Sequence, residues 1–260
     1  MAYTDILYEV KEGVAIITIN RPERRNAFRA LTVEELIDAF GRAWDDRTVG
    51  VVLLTGAGDK AFCSGGDQKE RDSSGYGGSG RGLRIQELHA MIRNIPKPVI
   101  AVVNGYAIGG GHVLHVLCDI TIASTTARFG QTGPRVGSVD PGYGTAYLAR
   151  VVGEKKAREI WYFCRQYTAQ EALEMGLVNA VVPPEELWPT AWAWAQELLD
   201  KSPTALMLAK QSFNADTEHI AGMGKVAFTA VDLYYATDEA MEGRNAFVEK
   251  RPVNFRQFRK

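Results

Sequence analysis

The chain has 260 residues, 46% of them hydrophobic and 23% charged, with a formal net charge of −1. That supplies one full core with an appendage and offers no basic surface for nucleic acid. The opening MAYTDILYEV lacks the basic start and apolar core of a secretory signal, and no apolar run approaches the roughly 20 residues a bilayer span needs.

In chain order, residues 6–10 and 14–19 flank Lys11-Glu12-Gly13, a hairpin signature. Thr32 with Glu35 three residues on reads as a capping box that opens a helix to about Asp46. Its Val33, Leu36, Ile37 and Phe40 fall at helical spacing. Residues 51–55 form a short continuous apolar run, as expected of a strand buried on both faces. Residues 61–63 lead into the pair Gly65-Gly66. The Gly/Ser-rich run 71–81 reads as a flexible loop, because strand–helix alternation resumes after it. A helix over 83–94 and strands over 98–103 and 119–123 follow. Residues 129–144 are a long Gly-rich turn region, succeeded by helices from about 143 and over 155–163. Thr168 and Glu171 form a second capping box, closed by Gly176. A strand over 177–182 and a helix through Leu187 and Leu198 lead to Ser202-Pro203, which opens a helical stretch reaching Phe247. The reading is an α/β core over 1–200 with a helical C-terminal element over 201–260. Cys63, Cys118 and Cys164 are scattered outside any metal spacing, which suits reduced thiols in a cytoplasmic protein.

The chain is organised around residues 104–119, NGYAIGGGHVLHVLCD. A strand, a tight Gly turn and a helix N-terminus present free backbone N–H groups and the positive end of a helix dipole. Two readings stand: an oxyanion site, or a packing turn where a helix crosses a sheet closely. His112 and His115 are i, i+3 on that helix with no carboxylate or Cys at metal spacing, and together with His89 they read as packed or hydrogen-bonded helix residues.

AFCSGGD at 61–67 and NGYAIGGGH at 104–112, with NAF at 26–28 and 169–179, together resemble the crotonase (enoyl-CoA hydratase/isomerase) superfamily over nearly the whole chain. The resemblance implies a spiral of ββα units assembled as a trimer or hexamer, and an acyl-CoA thioester substrate. No cofactor beyond the CoA moiety is implied. Gly66 and Gly110 match the oxyanion donors. At the positions of the two water-handling glutamates of hydratases this chain has Val113 and Gly133, and neither moves a proton. Simple hydration is therefore not expected.

Asp140, in GSVDPGYG, is the remaining carboxylate of interest. Followed by Pro141, it is equally a helix N-cap. Ser138 is either a turn residue or a substrate contact. The run over 130–144 is similar to a branch of Dieckmann-type ring enzymes. Its naphthoyl-CoA synthases close a ring from o-succinylbenzoyl-CoA, and its hydrolases open 2-ketocyclohexanecarboxyl-CoA to pimeloyl-CoA. Val139 and Pro141, beside the proposed acid, favour ring opening. By resemblance, Tyr235 belongs to a neighbouring subunit's site, whereas Tyr234 beside it reads as packing. Tyr76 is a weaker match. Arg25 and Lys69 match CoA phosphate contacts, Phe247 and Lys250 contacts at the adenine end. Gly133 matches a position where relatives bind bicarbonate.

Overall fold

A computed structural model of the chain describes residues 3–72, 75–76 and 83–259; much of the Gly/Ser-rich loop, 73–74 and 77–82, lies outside the described residues. The strands are β1 (Ile6–Lys11), β2 (Val14–Ile19), β3 (Val51–Gly56), β4 (Ala61–Cys63), β5 (Val99–Val103), β6 (Tyr106–Ile108), β7 (Ile120–Ser124), β8 (Arg128–Gly130), β9 (Tyr167–Thr168) and β10 (Ala180–Val182). The α-helices are α1 (Ala30–Asp45), α2 (Ile85–Asn94), α3 (Gly110–Leu117), α4 (Leu148–Val152), α5 (Glu154–Phe163), α6 (Ala169–Glu174), α7 (Leu187–Leu199), α8 (Pro203–Ala215), α9 (Glu218–Tyr235) and α10 (Asp238–Glu249).

β1 and β2 form the expected antiparallel hairpin, and the larger sheet continues in parallel in the order β1-β2-β3-β5-β7-β10. The strands it skips build the smaller sheet, β4-β6-β8-β9, parallel except for β9. Successive strands therefore alternate between sheets: β3, β5 and β7 enter the large one, and β4, β6 and β8 enter the small one. The turns β3-β4-α2 and β5-β6-α3 are the repeated unit of the implied spiral. Side-chain alternation divides the core accordingly. Val52, Leu54, Val99, Ala101 and Val103 face the main core with α1, α2 and α3. Val51, Leu53, Ile100 and Val102 face Leu187, Ala191 and Ala195 of α7 on the other side. Both faces are covered, which is why these strands read as unbroken apolar runs.

Three boundaries differ from the sequence reading. α1 begins at Ala30, with Arg29 at the N-cap, so Thr32 lies inside its first turn. Thr32 is recruited by tertiary partners: its hydroxyl accepts from Arg29 N (3.1 Å) and donates to Asp5 (2.6 Å). Glu35 accepts from the backbone of Thr4 and Asp5, both at 2.7 Å, instead of capping its own helix. At 177–182 only Ala180–Val182 pair with β7, because Leu177 N donates back to Ala172 O (2.8 Å) to close α6. The helix expected from about 143 starts as a single π-helical turn, Tyr143–Tyr147, before α4. The second capping box is present: Glu171 N donates to the Thr168 hydroxyl (3.2 Å), and Thr168 N to the Glu171 carboxylate (2.7 Å). Among the described residues no helix is long and apolar enough to cross a membrane.

Candidate active site

β4 and β6 are parallel neighbours, so the glycine turns that follow them emerge side by side. Gly109, at φ +59°, turns the chain out of β6 into α3 in a conformation that favours glycine. A Cβ on Gly111 would overlap the Cys63 carbonyl oxygen, so α3 crosses β4 at backbone contact. Gly110, between them, opens α3, and its N–H has no acceptor among the described residues. Gly111 answers to the packing reading, and Gly110 keeps the free N–H that the oxyanion reading requires.

Gly66 is oriented by a bridge to Phe28: Phe28 N donates to Gly65 O (2.9 Å) and Asp67 N donates to Phe28 O (2.8 Å). Its own N–H is left without an acceptor among the described residues. A Cβ on Gly65 would lie 3.0 Å from Gly110 N, so the two turns touch. Two unsatisfied N–H groups from adjacent turns, one at a helix N-terminus, suit a developing oxyanion.

Both turns line a cavity of about 590 Å³. Among the described residues its walls carry two carboxylates, Asp67 and Asp140. Asp67 is buried and ion-paired to Arg21 at 3.2 Å. Asp140 uses Oδ1 alone to accept from Gly142 N (3.1 Å) and Gly144 N (2.9 Å), which starts the π-turn. Its Oδ2 has no hydrogen bond among the described residues. Asp140 therefore caps with one oxygen and keeps the other free. The Ser138 and Tyr235 hydroxyls lie 2.8 Å apart. Tyr235 meets Tyr76 edge-on at 6.2 Å, with the Arg71 guanidinium 5.0 Å from the Tyr235 ring centre. Arg71 is itself held by the carbonyls of Val136, Gly137 and Ala240. Burial pushes the Tyr235 phenol above its ordinary value, against the opposing pulls of Ser138 and Arg71, so it keeps its proton at neutral pH.

The resemblance implied a tyrosine serving a neighbour's site. Here Tyr235 lines its own chain's cavity, because α9 folds back over the core. Tyr76 also belongs to the site. A Cβ on Gly66 would come within 2.5 Å of its hydroxyl oxygen, which accepts from Gln68 Nε2 (2.8 Å). Val113 and Gly133 line the cavity as expected. A Cβ on Gly133 would lie 2.5 Å from Ser138 O and 2.8 Å from the Trp161 ring, so protein already fills the direction a side chain would take there.

The Enoyl-CoA hydratase/isomerase family profile matches residues 9–259. The chain belongs to this family, the crotonase superfamily. Among solved structures, an enoyl-CoA hydratase from Mycobacterium avium subsp. paratuberculosis is 30% identical with TM-score 0.87, over 98% of this chain and 99% of that one. An enoyl-CoA hydratase/isomerase from Pseudoalteromonas atlantica is 28% identical with TM-score 0.88, over 97% and 100%. A monofunctional enoyl-CoA isomerase from M. smegmatis is 32% identical with TM-score 0.71, over 82% and 94%.

As a crotonase-superfamily protein the chain is an acyl-CoA enzyme, and its cavity carries cations suited to a phosphorylated substrate. Arg25 and Lys69 line it, as does the exposed ring of Phe247. Lys250 does not; it closes α10 in the left-handed conformation at φ +56° and is exposed. Arg24 and Arg135 line the cavity and carry no motif that singles them out. His112 and His115 are buried and packed, with Nδ1 atoms 3.3 Å from Gln131 Nε2 and Thr121 Oγ1 respectively. Burial pushes His112 down to about 3. His89 is packed too, edge-on against Tyr143, but among the described residues neither of its ring nitrogens has a partner, and it lines the cavity.

Proposed function

We propose that the enzyme hydrolyses a carbon–carbon bond in a cyclic β-keto acyl-CoA, opening 2-ketocyclohexanecarboxyl-CoA to pimeloyl-CoA. One observation carries the reading. The only cavity carboxylate without an ion pair among the described residues is Asp140, whereas Val113 and Gly133 stand where hydratases of the family carry glutamates. A single free carboxylate beside an intact oxyanion pair suits enolate chemistry and leaves two-glutamate hydration without its acids.

Asp140 Oδ2 takes a proton from water as the oxygen adds to the ring ketone. The tetrahedral adduct collapses to a carboxylic acid, and the bond between ketone carbon and α-carbon breaks. Its electron pair passes into the thioester carbonyl, whose enolate oxygen the N–H groups of Gly66 and Gly110 hold. Asp140 returns its proton to the α-carbon, so the carboxylate is regenerated and the net change is addition of one water. Ser138 and Tyr235, bonded to each other, orient the attacking water. Arg25 and Lys69 are assigned to the CoA phosphates and Phe247 to the adenine end; Lys250 has the weakest case. Bicarbonate plays no part in this sequence. Assembly as a trimer or hexamer belongs to the same proposal, supported by exposed Phe213, Val226 and Leu233 on α8 and α9.

The test is incubation of the purified protein with 2-ketocyclohexanecarboxyl-CoA, crotonyl-CoA and o-succinylbenzoyl-CoA, followed by mass spectrometry. Conversion of the first to pimeloyl-CoA, with the others little changed, is the expected result. Cyclisation of o-succinylbenzoyl-CoA in its place would make the enzyme a naphthoyl-CoA synthase. Ready hydration of crotonyl-CoA would overturn the argument from Val113 and Gly133.

A further inference from the structure

His89 is 1% exposed on α2, and both of its ring nitrogens lack a hydrogen-bond partner among the described residues. Burying a polar ring without a partner is unfavourable, and native interiors rarely leave one so. The two other buried histidines, His112 and His115, each have one bonded nitrogen and lie off the cavity. His89 alone among these three lines it. Ile85, one turn earlier on the same face of α2, shares that lining with Val113, Val139 and Phe228. Tyr143 meets the imidazole edge-on at 5.9 Å and 78°, which fixes the plane of the ring. Burial pushes His89 below the ordinary histidine value, with the nearby Asp140 carboxylate pulling the other way, so the ring is neutral at pH 7. A neutral imidazole offers one N–H donor and one acceptor.

We propose that His89 is a specificity-determining residue that reads an oxygen on the acyl group. Its N–H donates to the ketone oxygen of the bound ester, at a point separate from the thioester oxygen held by Gly66 and Gly110. The inference rests on the β-keto acyl-CoA reading above. It adds to that reading the reason a keto ester is chosen over an acyl group of the same size with no oxygen. A site that has already buried its donor gains most from a ligand that satisfies it, and rejects the ligand that does not. The bond also strengthens as water adds and the ketone oxygen gains charge.

The experiment is calorimetric binding of two matched esters, 2-ketocyclohexanecarboxyl-CoA and cyclohexanecarboxyl-CoA, to the full-length protein carrying Asp140→Asn so that neither is consumed. The keto ester is expected to bind about ten- to a hundredfold more tightly. Adding His89→Phe keeps the edge-on packing with Tyr143 and removes the N–H. It is expected to abolish the preference while leaving the affinity for cyclohexanecarboxyl-CoA within about twofold, and that retained affinity reports an intact cavity. If His89→Phe binds neither ester, His89→Leu is read in the same way. No preference in the Asp140→Asn protein, or a preference that survives loss of the imidazole, overturns the inference. Turnover separates the two readings. Binding preference without conversion by the wild-type enzyme leaves His89 in its role and removes the ring-opening function. Conversion with a preference indifferent to His89 does the reverse.

Discussion

In the proposed reaction Asp140 is the base, and its two oxygens are separable. Asn at this position keeps an acceptor for Gly142 N and Gly144 N but has no base. Asp140→Asn is therefore expected to lower kcat by at least about 10²–10⁴-fold while Tm moves little, as differential scanning calorimetry would register. A large fall in Tm with modest loss of kcat would make Asp140 a cap only. The glycines divide in the same manner. Gly111→Ala drives a methyl into the Cys63 carbonyl, a backbone atom that cannot give way, and is expected to destabilise the fold by about 3 kcal/mol in urea titrations. Gly66→Ala meets the hydroxyl end of Tyr76, a side chain that can move, so the protein should remain folded. The methyl then crowds the Tyr76 side of the proposed oxyanion donor, and kcat should fall about a hundredfold.

At the scale of elements, the N-terminal hairpin is tied to α1 through Asp5. Its carboxylate, 3% exposed, takes hydrogen bonds from Arg29 (2.8 and 2.9 Å) and Thr32 (2.6 Å). Burial alone would raise its pKa, but the bonds from Arg29 and Thr32 and the charge of Arg21 outweigh it, and the folded value lies below the ordinary one. A depressed folded pKa stabilises the protein above the unfolded value of about 3.9. That stability disappears as pH falls through the folded value. Asp5→Asn should therefore lower Tm at pH 7, and the gap to wild type should close progressively below about pH 4. The same cluster shows where sequence reasoning fell short. Strand and helix types were legible because alternation, apolar runs and the Thr168–Glu171 box are local signals. The Thr32–Glu35 box was misread because its partners, Thr4 and Asp5, lie on a distant segment. The glycine turns and Asp140 were legible because close backbone approach and a cap leave a residue-type signature. His89 was not: a lone histidine on an amphipathic helix looks like core, and its lack of partners among the described residues exists only in three dimensions.

For the whole molecule, the exposed faces of α8 and α9 carry Phe213 at 79%, Val226 at 77% and Leu233 at 71% exposure. Val226 and Leu233, two turns apart, share one face of α9, and an exposed apolar face suits subunit association. Light scattering on the wild-type protein is expected to return a trimer or hexamer, and Val226→Asp combined with Leu233→Asp a monomer. Because Tyr235 lines the cavity of its own chain, that monomer should retain measurable turnover. An unchanged mass would place the subunit contact elsewhere, and a fully inactive monomer would mean that a neighbour completes the site.

The cavity draws its walls from Arg24 through to Phe247, and α10 is drawn to the core partly by the bond Arg71 makes to Ala240 O and the one Arg244 makes to Arg71 O. The two glycine turns lie in the α/β core, whereas α9 supplies Phe228 and Tyr235 and α10 supplies Phe247 to the cavity wall. The site is therefore expected to be lost whenever this helical pair opens. A population that has shed only this helical pair would keep most of its far-UV circular dichroism signal and yet be inactive. Activity measured across a urea series would then vanish ahead of the secondary structure, reporting a subglobal opening rather than collapse of the native state.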